Sequence, residues 1–123
     1  VASLVLVVEP DNLLREVVQL ALTRAGCAVC ALPDPAAALA MAQGDGPRPD
    51  AAVVDVYLTG MSGLTLMRAL RALPGLAQLP MIAISALGFS EIVEQAVAAG
   101  ANDFVLKPFD PAVLAQKVGR LLR

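Results

Sequence analysis

Short apolar runs alternate along this chain with longer amphipathic ones, and the two kinds begin and end differently. Ser3–Val8 (SLVLVV), Cys27–Leu32, Ala51–Asp55 (AAVVD), Pro80–Ser85 (PMIAIS) and Asp103–Leu106 are short and mostly apolar on both sides. That is the pattern of strands buried on both faces of a parallel sheet. Between them lie segments with helical spacing. Asn12–Ala25 carries Leu13, Leu14, Val17, Val18, Leu20, Ala21 and Leu22 and stops at Gly26. Pro35–Gln43 is opened by Asp34, with Pro at the first helical position. Gly63–Leu73 places Leu64, Met67, Leu70 and Leu73 on one stripe, and Phe89–Ala99 closes at Gly100. Asp110-Pro111 repeats the capping device and opens Pro111–Leu122. Gly44–Pro49 reads as a polar turn. Five strands alternating with five helices predict one α/β domain over residues 1–123. Its doubly wound parallel sheet should have strand order 2-1-3-4-5, with helices on both faces.

Composition narrows the picture. Hydrophobic residues make up 58% of the chain but aromatics only 3%, so the core has to be Ala, Val and Leu packed together. The longest uncharged run, Ala72–Ser90, is broken by Pro74, Gly75 and Pro80 and reads as turn, strand and loop rather than a membrane span. A net charge of −2 argues against a direct nucleic-acid surface. Histidine is absent, which removes His-ligated metals, Ser-His-Asp triads and a self-contained phosphohistidine. Cys27 and Cys30 form a C-x-x-C, but on a strand they point to opposite faces, and no further Cys or His exists to complete a zinc site. They read as small buried hydrophobes. Few cysteines and no secretory signal predict a cytoplasmic location, with no membrane partner. The lack of an initial Met suggests a trimmed chain or a piece of a longer one.

The predicted strand ends carry the chemistry. Strand 1 runs into Glu9 and Asp11, strand 3 into Asp55, strand 4 into Ser85 and strand 5 into Lys107. In an open α/β sheet these ends meet at the switch point. Carboxylates converging there repel one another and call for a cation. All-oxygen ligation favours Mg²⁺. A Lys and a Ser hydroxyl beside it suit a phosphoryl group, with Asp55 as the nucleophile that forms an acyl phosphate. Each residue alone also has an ordinary reading: Lys107 solvated, Ser85 a satisfied strand-end hydroxyl, Asp11 a helix cap.

The stretches VVEPDNLLRE, DVYLTGMSGL, PMIAISAL and GANDFVLKPFD together resemble the receiver domain of two-component response regulators, the CheY-like family, over the whole chain. The resemblance implies the flavodoxin-like (CheY-like) fold and a signalling domain rather than an enzyme. It implies Asp55 as phosphoacceptor, with Ser85 and Lys107 binding the phosphoryl oxygens. Glu9, Asp55 and the backbone carbonyl of Tyr57 would hold Mg²⁺, and Asp11 is a further candidate. Ser85 and Phe104 would form the switch, and Lys107-Pro108 would be a cis peptide bond. The implied partner is a histidine kinase or phosphotransfer protein. The face made by helix 4, strand 5 and helix 5 would serve a homodimer or an effector.

The sequence departs from the family in specific places. Two adjacent acids usually follow strand 1, but here the pair is Glu9-Pro10, so one direct metal ligand is missing and Mg²⁺ should bind weakly. Thr59 replaces a Pro usual in the loop after Asp55. Tyr57 and Leu87 are bulky at the two positions that flank the path of the attacking water, so an acyl phosphate should be long-lived. An alternative use of the same fold is a pseudo-receiver, a binding module that works without phosphorylation. DVYLT only partly matches the D-x-D-x-T of haloacid dehalogenase phosphohydrolases, because Tyr57 stands where the second acid is required. No Ser/Thr/Gly-rich loop after strand 1 supports a flavin. In helix 4, Ile92, Val93, Ala96 and Val97 exceed what one buried stripe needs, which predicts an exposed apolar contact site there.

Overall fold

Apolar runs without a polar side must be covered from both faces, and the computed structural model, which describes residues 2–123, does this with five helices. The order is β1 (Leu4–Val8), α1 (Asn12–Arg24), β2 (Ala28–Leu32), α2 (Pro35–Gln43), β3 (Ala51–Asp55), α3 (Gly63–Arg71), β4 (Met81–Ser85), α4 (Ser90–Ala98), β5 (Asp103–Leu106) and α5 (Pro111–Leu121). All pairings are parallel and the strand order is β2-β1-β3-β4-β5, as the alternation predicts. Of the three interior strands, β3 and β4 are buried along their whole length.

The sheet divides the core in two. One side joins Leu6, Val8, Ala52, Val54, Met81 and Ala83 to α2, α3 and α4. The other joins Val5, Val7, Val53, Ile82 and Ile84 to α1 and α5 through Val18, Leu22, Leu114 and Val118. Both halves are aliphatic, as the composition requires. Cys30 packs against the first side and Cys27 against the second, both half-buried and free, so the C-x-x-C spacing does separate the thiols across the sheet.

Side-chain caps start four helices. Asp11, Asp34, Ser62 and Asp110 accept from the N–H groups of Leu14, Ala37, Thr65 and Ala112. Helix α4 has Phe89 at its cap position and no such bond. The differences from the predicted bounds lie at the ends: Ser3, Cys27 and Pro80 fall outside the strands, and α3 stops at Arg71 because Leu73-Pro74 starts a turn. Two faces also differ. In α3 the buried residues are Gly63, Leu66, Met67 and Leu70, with Leu64 only half-buried, so the buried face is rotated from the predicted stripe. In α1 only Val18 and Leu22 are buried, while Leu13, Val17 and Leu20 stay exposed.

Candidate functional site

The parallel register brings the C-terminal ends of β1, β3, β4 and β5 to one edge. Val8 lies opposite Val54, Asp55 opposite Ile84, and Ser85 opposite Leu106. The residues that end or follow these strands are therefore neighbours. Glu9, Asp55 and Ser85 are the buried polar residues of the described chain, and Glu9 is fully enclosed. Buried carboxylates demand a counter-charge, and Lys107 supplies it. Its Nζ lies 2.5 Å from Asp55 Oδ2 and 2.7 Å from Glu9 Oε1. The Lys107-Pro108 bond is cis, as the resemblance implied.

Each carboxylate is fixed by the loop that follows it. Asp55 Oδ1 accepts from the N–H of Tyr57 at 2.8 Å, and Glu9 Oε2 accepts from the N–H of Asp11 at 2.9 Å. Ser85 Oγ accepts from the N–H of Leu87 at 3.0 Å, which leaves its own proton to donate. Lys107 Nζ, at 2.7 Å, partners Glu9 Oε1 as an ion pair. Burial pushes the Glu9 carboxyl above its ordinary value of 4.5, and the nearby Asp55 adds to this, while Lys107 and the Asp11 N–H pull the other way. Burial alone would lower Lys107. Its hydrogen bonds and attraction to Asp55 and Glu9 outweigh that and hold the ammonium above its ordinary value.

Metal chemistry can be judged from these donors. Among the described residues no group of three or more His, Cys, Asp or Glu side chains is placed to hold a metal ion. Two carboxylates are present, Glu9 and Asp55, and both point to the Lys107 ammonium. An oxygen-only set of this size fits Mg²⁺, which takes few protein ligands and keeps several waters. Asp11 is exposed and its Oδ1 caps α1, so its carboxylate serves the helix rather than this cluster.

Two contributors were not singled out from the sequence. Arg15 donates from Nη1 to the carbonyl of Glu9 at 2.8 Å and from Nη2 to Asn12 Oδ1 at 2.6 Å, which pins the Glu9-Pro10 turn against α1. Gly63 sits where an added Cβ would lie 1.9 Å from the carbonyl oxygen of Asp55. Its N–H donates to the carbonyl of Val56 at 2.8 Å, so the loop after β3 folds back directly onto the backbone of the site. Phe104 is half-buried and packs against the core on the α2–α4 side. Tyr57 and Leu87 are both exposed, each one residue beyond the loop start at its strand end.

Known proteins share this sequence pattern and fold. The family described as "Response regulator receiver domain" matches residues 5–119. The transcriptional regulatory protein CseB of Streptomyces coelicolor is 44% identical over 119 residues, covering 97% of this chain and 49% of that protein. The chain thus spans about half the length of the curated relatives it matches. Among solved structures, the chemotaxis protein CheY4 of Vibrio cholerae superposes with a TM-score of 0.92 at 29% identity, covering 99% of this chain and 100% of that one. The receiver domain of the sensor histidine kinase PA1611 of Pseudomonas aeruginosa, with a magnesium ion coordinated in its active-site cleft, gives 0.87 at 28% identity, with 99% and 98% covered. Sequence, fold and strand-end chemistry agree, and the chain belongs to the response regulator receiver domain family of two-component systems.

Proposed function

We propose that this chain accepts a phosphoryl group on Asp55 from a phosphohistidine of a partner histidine kinase or phosphotransfer protein. The observation that carries the reading is the Lys107 ammonium 2.5 Å from Asp55 Oδ2, at a buried carboxylate on the C-terminal edge of the sheet. A carboxylate oxygen of Asp55 attacks phosphorus, the P–N bond to the donor imidazole breaks, and its electron pair stays on that nitrogen, which takes a proton. The product is an acyl phosphate. Lys107 then neutralises a phosphoryl oxygen as a point charge, and the Ser85 hydroxyl donates to another. Glu9, Asp55 and the backbone carbonyl of Tyr57 would hold Mg²⁺, whose contribution is to offset charge on the transferred group. Ser85 and Phe104 carry the change to the face of α4, β5 and α5, where an effector or a second chain docks. Tyr57 and Leu87, whose N–H groups bind the Asp55 and Ser85 side chains, place bulky groups beside the acyl phosphate and slow its hydrolysis.

One observation favours a second reading. Pro10 stands where a second acid would follow β1, and Lys107 already pairs with both Glu9 and Asp55, an arrangement that also suits a binding module without phosphorylation. Intact mass after incubation with acetyl phosphate and Mg²⁺ separates the two. The phosphoacceptor reading expects one added phosphoryl mass that Asp55→Asn abolishes. An unchanged mass at saturating donor and metal selects the binding module instead.

A further inference from the structure

Glu9, the fully enclosed acid after β1, is anchored at four points, and one of them comes from a side chain that has no place in the acid–lysine cluster. Its N–H donates to the carbonyl of Leu32 at 3.1 Å, and its Oε2 accepts from the N–H of Asp11 at 2.9 Å. Its Oε1 pairs with Lys107 at 2.7 Å. The fourth tie is at its carbonyl, which accepts from Arg15 Nη1 at 2.8 Å; the same nitrogen lies 3.5 Å from the carbonyl of Pro10. Two of the four partners are main-chain groups, and Lys107 belongs to the site itself. Arg15 is the one side chain outside the cluster that fixes Glu9.

The place of Arg15 is not explained by its charge. It ends the first turn of α1 and folds back over the start of that helix, reaching Asn12 Oδ1 at 2.6 Å as well as the turn. A helix N-terminus carries partial positive charge, so a cation there works against the macrodipole. Among the described residues Arg15 forms no ion pair that would offset this. What holds it is the pair of acceptors, one on each prong of the guanidinium. Pro10 gives that grip its importance. It stands where a second acid would follow β1 and leaves Glu9 and Asp55 as the carboxylates of the proposed receiver site. With fewer ligands, metal affinity leans harder on having the remaining ones in place before the ion arrives. The charge of Arg15 and its hydrogen bonds act in opposite senses here: the charge repels Mg²⁺, while the bonds hold a ligand ready for it.

We propose that Arg15 is a positioning residue of the metal site, which sets the Glu9 carboxylate for Mg²⁺ by clamping the Glu9 carbonyl. As a cation it cannot itself be a ligand. The inference rests on Glu9 being a ligand in the proposed receiver site.

Mg²⁺ titration of the whole chain, followed by Tyr57 fluorescence, tests this. Arg15→Gln should weaken Mg²⁺ binding by about tenfold, the lower end of what groups that orient a metal ligand contribute. Arg15→Lys keeps the charge without the two-pronged guanidinium and should recover only part of the loss. In a Glu9→Gln chain, Arg15→Gln should cost less than about twofold, because the ligand it holds is gone. Arg71→Met removes another arginine–carbonyl clamp, at the opposite edge of the sheet. It separates positioning from a general loss of stability and should leave Mg²⁺ affinity unchanged; circular dichroism checks that each variant is folded. Affinity unchanged or raised in Arg15→Gln overturns the proposal, since a gain would mean that only the charge is felt. So do equal losses with and without the Glu9 carboxylate, an equal loss in Arg71→Met, and a wild-type chain that binds no Mg²⁺. The titration needs no phosphodonor, so a chain that meets these expectations yet gains no mass from acetyl phosphate refutes the phosphoacceptor reading alone.

Discussion

Pro10 occupies the position at which a receiver domain usually carries its second acid, and its consequence is electrostatic. Losing one charge-assisted oxygen contact to a cation costs roughly 1.5–3 kcal/mol, or about 10–100-fold in affinity. Pro10→Asp should therefore tighten Mg²⁺ binding by that factor. Tyr57 is the only Tyr and there is no Trp, so its fluorescence reports the titration. Unchanged affinity would show that the missing acid is not what limits binding. The site should also be sensitive to acid. The Glu9 carboxyl is raised above 4.5 chiefly by burial, so the folded state holds its proton longer than the unfolded one. The sign follows: Glu9 makes the metal-free fold less stable as pH rises from 4.5 through its raised value. Mg²⁺ needs the carboxylate, so its affinity should grow over the same window. Glu9→Gln should flatten the stability profile there, measured by thermal melts without metal. At Gly63 the constraint is steric. A methyl group there would collide with the Asp55 carbonyl, so Gly63→Ala should cost about 1–3 kcal/mol or more by denaturant titration. It should also impair phosphorylation by moving Asp55; a variant with wild-type stability would show that the loop relaxes freely.

At the scale of elements, arginines on helix ends tie the loops to the sheet. Arg71, the last residue of α3, donates to the carbonyls of Ala77 at 2.7 Å, Leu79 at 2.9 Å and Gly100 at 2.5 Å. One guanidinium thus fastens the α3–β4 connection to the turn after α4. Arg71→Met keeps the apolar stem and removes those bonds, and should cost about 1.5–3 kcal/mol in denaturant titration. A loss of a few tenths would mean water replaces the guanidinium at no cost. Nothing in the sequence marks Arg71 or Arg15 as special, because a helical Arg at an outer position looks the same whether it is solvated or reaches a carbonyl six or more residues away. Strand identity was legible, since runs such as AAVVD and MIAIS leave no polar face to expose. Helix starts were legible at Asp34-Pro35 and Asp110-Pro111, where cap and first-turn residue agree. The strand-end residues Glu9, Asp55, Ser85 and Lys107 were legible as neighbours because parallel topology fixes which ends meet. The faces of α1 and α3 were less so. An excess of Leu and Val around α1 leaves periodicity unable to choose which stripe is buried, and only the position of α5 decides it. The close approach of Gly63 depends on a tertiary fold-back that no local pattern encodes.

Over the whole molecule, the face of α4, β5 and α5 offers an apolar contact surface. It exposes Phe89, Val97, Leu106 and Val113. Helix α4 buries only Ala96, keeps Ile92 and Val93 half-buried, and leaves Val97 62% exposed. Its charges are Glu91 and Glu94, with no Lys or Arg to pair across a two-fold contact. The one ion pair on this face, Lys117 with Asp103 at 3.1 Å, is internal and partly solvated, so it contributes roughly 0–1 kcal/mol. Gly88 ties the loop before α4 to this surface, since an added Cβ would lie 2.9 Å from the side chain of Leu106. For the proposed switch at Ser85, three residues before Gly88, this contact would be a short path to the patch. Association through this face after phosphorylation should be driven by apolar burial and should change little with ionic strength. Val93→Lys puts an unpaired ammonium at its half-buried rim and should weaken that association by about tenfold, while circular dichroism and phosphoryl uptake at Asp55 stay unchanged. If the phosphorylated chain instead forms a complex that added salt dissociates steeply and that ignores Val93→Lys, the contact is made by charges, and α4 is not its docking helix.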